Sequence, residues 1–462
     1  MQKALFIKTL IIVGLMFIIG VPLLLVQATI RERIAFRNEA VASVAADSVR
    51  EQTMIGPILV LPYTDEYEEK VTSVVNGAEK TEVRKSVAER RQLVFPETLK
   101  IEGMIDTDHR YRGIHQVLVY SGQYAIAGNF NLPVKASLPR ANAGSRISLG
   151  KPFVALSIND VRGIRDIPGL KWDGRTVEFE QGSGLETFKS GMHASVPAQD
   201  LERPAQIDFS FDLGLSGIER QHIAPVGKNN KVTLKSNWPH PQFSGRFLPS
   251  PKNRRIDDSG FSATWDISAL ATDAQQQLRA VETDPVVAVA GGPRPLQPEL
   301  DHFTVGFIEP VNVYSLAERA TKYGLLFVAL TFAAFFVFEI LKRLPIHPVQ
   351  YALVGLALVL FFLLLVGLSE HIVFVTSYLI ASAACIVLIA FYLSSVLHSW
   401  KRGYGFGAAL TMLYGALYGL LISENNALVL GSILLFAVLA AVMVATRKVD
   451  WYRIGVVEGE PA

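Results

Sequence analysis

The chain has 462 residues, half of them hydrophobic, with a formal net charge of +2 and a mean hydropathy of +0.30. That hydropathy is high for a water-soluble protein, and the near-neutral charge leaves no electrostatic footprint for nucleic acid. The single cysteine, Cys385, excludes an internal disulfide and a thiolate metal cluster.

The first element is an apolar run, Leu5–Val26. A long, mostly polar stretch follows, and then five more apolar runs: Tyr323–Leu341, Val349–Leu368, Ile372–Val396, Phe406–Ile422 and Leu428–Ala445. Each is close to the roughly 20 residues that carry a helix across a hydrocarbon core. None alternates as a barrel strand does. The expected fold is a multi-pass α-helical membrane protein with six spans and a large, mainly antiparallel β-sandwich-like periplasmic domain between spans one and two. The expected domains are an N-terminal anchor 1–28, a β-rich domain 29–322, a five-helix membrane domain 323–446 and a cytoplasmic tail 447–462. Val26-Gln27-Ala28 resembles a small-residue cleavage site. The apolar run before it exceeds a usual signal core of about 7–15 residues, which favours an uncleaved anchor.

Ile30, Ile34, Val41 and Val49 recur at roughly helical spacing, so 30–51 reads as a helix that continues span one. Strand signals then take over. Pro57–Tyr63 is a short apolar run, and Ile114–Tyr120 with Tyr124–Phe130 flank Ser121-Gly122-Gln123 as a hairpin would. Phe153–Ile158, Thr176–Phe179, Val232–Leu234, Phe261–Ile267 and Phe303–Ile308 are further strands. Ile207, Phe209, Phe211, Leu213 and Leu215 alternate strictly, as in a half-buried strand. Two lobes are expected, about 52–165 and 166–312, with Pro285–Pro298 looping out before the last strand.

Orientation follows from the short loops. Lys342, Arg343, Lys401, Arg402, Arg447, Lys448 and Arg453 follow spans two, four and six, whereas the turns Ser369–His371 and Ser423–Asn426 carry no Lys or Arg. The positive-inside rule places the basic loops and both termini in the cytoplasm and the large domain on the outer side of the membrane. Arg31, Arg33 and Arg37 run against that pattern, on the outer side of span one.

Candidate sites are sparse. Glu339 ends span two beside Lys342 and Arg343, and His347-Pro348 opens span three. Glu339, His347, Glu370 and His371 form a candidate membrane polar cluster, since charge at membrane depth is costly and often functional. The competing reading pairs Glu339 with Lys342 or Arg343, or with His347 across the short loop, and makes His347 a structural hinge. In the β-rich domain Trp238-Pro-His240-Pro, with Arg246, is a candidate ligand or partner site, because a rigid aromatic beside donors suits a sugar or peptide. The alternative is a loop packed on the sandwich end. Arg162 and Arg165 could grip an anion or lie as surface charges. Asp106-Thr-Asp108-His109 is a solvated loop before it is a metal site, and Ser369 near His371 lacks a base positioned to make it a nucleophile. No catalytic residue, metal site or cofactor is read from the sequence.

Several separate pieces, in order, resemble one family: Leu149–Val154, Asp160–Ile164, Ser236–Pro249, Gly260–Trp265, Arg319–Glu339, His347–Tyr351 and Leu368–His371. The chain is similar to the CreD inner-membrane family, also called the Cet or colicin-tolerance family. The resemblance implies an inner-membrane protein of Gram-negative bacteria linked to a two-component response to envelope stress and to β-lactam susceptibility. It implies no catalytic residue and no ligand.

Three functions are then in contention. The first is a non-enzymatic envelope-stress protein whose periplasmic domain binds an envelope protein or glycan, with the lipid bilayer as its other partner and no nucleic acid. The second is a transporter or lipid-handling protein. Its spans carry few ionisable groups, but Gly403, Gly405, Gly407, Gly415 and Gly419 leave room for a helix break. The third is an envelope hydrolase.

Overall fold

The structure is a computed structural model that describes residues 2–75, 78–113, 115–198, 201–283, 300–307, 309, 313–342, 346–397, 399–423 and 426–447. It divides into two compact units, Met1–Glu39 with Val311–Ala462, and Ala40–Pro310. The expected loop Pro285–Pro298 lies outside the described residues.

The 40–310 unit is built from seventeen described strands and a short helix, α2 (Ala274–Thr283). In chain order the strands are β1 (Gln52–Val75), β2 (Ala78–Val94), β3 (Thr98–Arg112), β4 (His115–Leu132), β5 (Arg146–Leu149), β6 (Phe153–Ile158), β7 (Gly169–Trp172), β8 (Arg175–Glu178) and β9 (Glu180–Gln181). They continue with β10 (Gly191–Ser195), β11 (Ala205–Ile218), β12 (Arg220–Ile223), β13 (Asn229–Ser236), β14 (Pro241–Gly245), β15 (Arg254–Asp257), β16 (Gly260–Ser268) and β17 (Phe303–Phe307). One sheet runs β14-β17-β12-β1-β6-β10-β9, with β2 and β5 also on β1; the other runs β15-β16-β13-β3-β4-β11-β7-β8. Both are mixed. Their pairings are antiparallel except β1 with β12 and β3 with β13. Strands from 52–165 and from 166–312 interleave in both sheets.

The sheets share one apolar core. Ile207, Phe209, Phe211, Leu213 and Leu215 are all buried, as their alternation requires. Trp265 of one sheet stacks on Phe303 of the other at 4.6 Å, and Tyr120 lies 5.0 Å from Phe307. Such pairs add about 0.5–1.5 kcal/mol beyond the area they bury.

Two strand expectations change. Ser121-Gly122-Gln123 is not a turn, because β4 runs straight through it and pairs with β3 without a break from Arg112↔His115 to Thr98↔Asn129. Gly122 marks a close approach instead: a Cβ there would lie 2.5 Å from the Tyr124 ring, which folds back along its own strand. The short strand Pro57–Tyr63 is part of β1, which pairs with β2 in continuous register from Leu59↔Val94 to Val75↔Ala78.

The end of the first helix is pinned into this unit by a buried carboxylate. Asp160 accepts from the Arg162 guanidinium at 2.6 Å and from the Arg50 N–H at 3.1 Å. The Gln52 amide bonds the Asp160 and Ser216 carbonyls. Arg162 also donates to the carbonyls of Ala45 and Ala46. The Arg162 hydrogen bond, opposed by burial and aided by backbone N–H groups, holds the Asp160 carboxyl below the usual carboxylate range. Arg162 is thus engaged by the fold rather than presented to an anion, and Arg165 donates to Ser216 Oγ at 2.7 Å.

The second unit is helical. It holds most of α1 (Gln2–Asp47), then α3 (Val313–Lys322), α4 (Gly324–Lys342), α5 (Pro348–Ser369), α6 (Phe374–Val396), α7 (Trp400–Ile422) and α8 (Ala427–Thr446). The helix expected at 30–51 is the continuation of α1. Ile12, Ile19, Leu23, Val26 and Ile30 form its buried face. At Gly355 of α5 a Cβ would lie 2.0 Å from the Ile19 side chain, so glycine there is what lets α1 seat. Four helices (α1, α5, α6 and α7) are long and apolar enough to cross a membrane; α3 and α4, bent by 44° at Tyr323, make a fifth if taken as one broken span. The apolar stretch Val429–Val444 of α8 is shorter.

Candidate functional site

The expected membrane cluster separates into two sites. At one end, Glu339 of α4 is 8% exposed and makes an ion pair with Lys8 of α1. Its other oxygen accepts from Tyr351 of α5 at 2.8 Å, and Lys8 also donates to the Ile346 carbonyl at 2.8 Å. Three helices therefore meet on one buried carboxylate. The sequence reading offered His347, Lys342 and Arg343 as partners. His347 instead caps α5: its Nδ1 accepts from the Val349 N–H, while the Gln350 side chain accepts from the His347 N–H. The side chains of Lys342 and Arg343 lie outside the described residues.

At the other end, Glu370 follows α5 and pairs with Arg33 of α1 at 3.3 Å, with Tyr314 of α3 donating at 3.4 Å. His371 is exposed beside it. Arg33 is one of the arginines that ran against the charge pattern, and this carboxylate neutralises it. Lys8 and Arg33 are twenty-five residues apart on one helix, about 37 Å at 1.5 Å per residue. A hydrocarbon core is about 30 Å thick, so the two ion pairs bracket a membrane-sized apolar length. The first ties α1 to α4, and the second ties it to the end of α5.

The Trp238 site forms differently from its expectation. Trp238 is half-buried, and its Nε1 donates to the His240 carbonyl at 3.0 Å, which fixes the ring. His240 and His109 each lie 6.1 Å from the Trp238 ring, edge-on. His109 is 3.2 Å from Glu309, and Asn237 accepts from the backbone and hydroxyl of Thr107. Arg246 is not part of this group. It follows the far end of β14, about 20 Å along the strand from His240, and pairs with Asp301 at 3.4 Å. Burial opposes ionisation of Asp301, but the Asp273 N–H, Thr272, Gln277 and Arg246 together hold its carboxyl below the usual range. Sequence reasoning placed His109 with Asp106 and Asp108 and gave Glu309 no role. Their juxtaposition arises from the tertiary fold and leaves no local pattern.

A groove of about 840 Å³ beside β2 was also missed. Arg91 there pairs with Glu186 at 2.7 Å, and the Glu282 carboxylate accepts from the N–H groups of Glu186 and Thr187. Among the described residues no three or more His, Cys, Asp or Glu side chains gather to hold a metal ion.

The architecture defines a helix-anchored, multi-pass membrane protein carrying an inserted domain of two mixed sheets. The family model described as Inner membrane protein CreD matches residues 4–452. Inner membrane protein CreD of Escherichia coli (strain K12) is 35% identical over 454 residues, covering 98% of this chain and 95% of that protein. The chain belongs to the CreD family of inner membrane proteins.

Proposed function

We propose that this is a non-enzymatic inner-membrane protein of the envelope-stress response whose β unit lies in the periplasm and binds an envelope protein or glycan. The helical unit is its anchor, with six spans and both termini in the cytoplasm. The observation that carries the reading is the Trp238 group, a half-exposed indole fixed by its own hydrogen bond and flanked by His109 and His240. A rigid aromatic with polar neighbours binds at low entropic cost. The orientation is supported by the basic loops and by Lys8 and Glu339 sharing the end of the bundle at which α4 finishes, at Lys342. The test compares the full chain with Trp238→Ala/His240→Ala in crosslinked membranes. Loss of the recovered envelope partner at unchanged protein level supports the reading, and an unchanged partner set refutes this site.

The second reading, transport or lipid handling, rests on the 44° break at Tyr323 and the buried Glu339. Neutralising Glu339 by Gln would then abolish a solute or lipid flux in proteoliposomes while leaving partner recovery intact. On the anchoring reading that variant affects stability alone.

A further inference from the structure

The groove beside β2 has a rigid anion-binding loop in its wall. Between β9 and β10 the backbone N–H groups of Glu186, Thr187 and Phe188 converge on one carboxylate, that of Glu282. One of its oxygens accepts from Glu186 at 2.6 Å, and the other from Thr187 at 3.0 Å and Phe188 at 3.4 Å. Successive N–H groups turned to one point form a nest, a backbone site suited to a carboxylate. The nest keeps its shape through bonds that do not involve Glu282. The buried Ser183 donates its hydroxyl to the Phe188 carbonyl, accepts from the Leu185 N–H and gives its own N–H to the Lys189 carbonyl. Arg91 donates to the Gly184 carbonyl at 3.2 Å and pairs with the Glu186 side chain at 2.7 Å, so that carboxylate does not repel a second one.

Glu282 is poorly placed for a permanent tie. It lies in the last turn of α2, where the helix dipole disfavours a carboxylate. The helix holds its position by other means: Ala274 and Leu278 are fully buried, and the Val281 carbonyl accepts from the Thr187 hydroxyl at 3.1 Å. Glu282 can therefore leave the nest without undocking α2. The groove of about 840 Å³ is within the size range of ligand sites, roughly 300–1,000 Å³. Glu186 and Glu282 line it together with Thr64, Ser148, Leu149 and Phe153. A compact anion would fill the nest alone. Hydroxyls and apolar side chains along the same groove suit the amides and side chains of an extended chain.

We propose that this groove binds the C-terminal carboxylate of an extended peptide, with the 186–188 nest as the carboxylate site and Glu282 as a built-in competitor that fills the nest when no peptide is bound. The proposal does not depend on the Trp238 site or on what that site binds.

The test uses the full-length chain in mild detergent. The probe is a pool of N-acetylated random pentapeptides, offered either with free C-terminal carboxylates or as C-terminal amides, and retained peptides are counted by mass spectrometry. The free-carboxylate pool should be retained over the amide pool. Glu282→Ala should raise that retention several-fold, because the competitor is gone, and leave the amide pool unchanged. Ser148→Trp, at an exposed position in the groove wall, should abolish retention in either background. Trp238→Ala should leave it unchanged. If Glu282→Ala lowers the midpoint of thermal unfolding, the free-carboxylate pool should restore it, and acetate at the same concentration should not. Equal retention of the two pools, no gain in Glu282→Ala, no loss in Ser148→Trp, or a loss in Trp238→Ala would overturn the proposal. So would acetate matching the peptides, since Glu282 would then only fasten α2.

Discussion

Removing Lys8 should destabilise the helical unit through a residue more than three hundred positions away. In Lys8→Met the Glu339 carboxylate stays buried, with the Tyr351 hydroxyl and the Ile346 N–H as its remaining donors among the described residues. Breaking a buried ion pair by deleting one partner costs about 3–5 kcal/mol. Those two donors and the partial exposure of Lys8, 24%, reduce the expected loss to about 2–3 kcal/mol. At about 2–4 °C per kcal/mol for a unit of this size, the midpoint of thermal unfolding in mild detergent should fall by about 5–10 °C. Glu339→Gln keeps a bond to Tyr351 and removes the charge. In that background Lys8→Met should cost about 1 kcal/mol or less, so the cycle shows a coupling of about 1–2 kcal/mol. An unchanged midpoint for Lys8→Met, or the same loss with Gln at 339, would show that the two groups do not act as a pair.

Other expectations follow from the same geometry. Asp160 is held below its ordinary value of 3.8, so its contribution is complete above that pH and is lost as the pH falls through the lowered value. Asp160→Asn should therefore cost about 2 kcal/mol at pH 7 and flatten the acid side of a denaturation profile; a parallel profile would contradict the assignment. Gly122→Val forces a side chain into the Tyr124 ring and should cost about 1–3 kcal/mol, read as a shift in urea midpoint with an unchanged slope.

The sequence by itself determined the features that one residue's own chemistry carries. Runs of about 20 apolar residues mark membrane-length helices. The spacing Ile30, Ile34, Val41 announces the continued α1, and the alternation from Ile207 to Leu215 announces β11, because periodicity is local. Tertiary structure decided what depends on distant partners. The charged strand β2 has no apolar period, and its strand state comes from the seventeen-rung ladder with β1. Gly122 carries the local signature of a turn, and only the Tyr124 ring lying over it shows why glycine sits inside a strand. Trp238, His240 and Arg246 are close in sequence, yet β14 holds Arg246 away and brings in His109 and Glu309. Glu339 has bases within one turn in sequence, and the packing of α1 beside α4 and α5 brings a further one, Lys8, onto its buried carboxylate. Hydropathy identifies which segments leave water; which charges meet once they have left is set by the packing of helices and strands far apart in the chain.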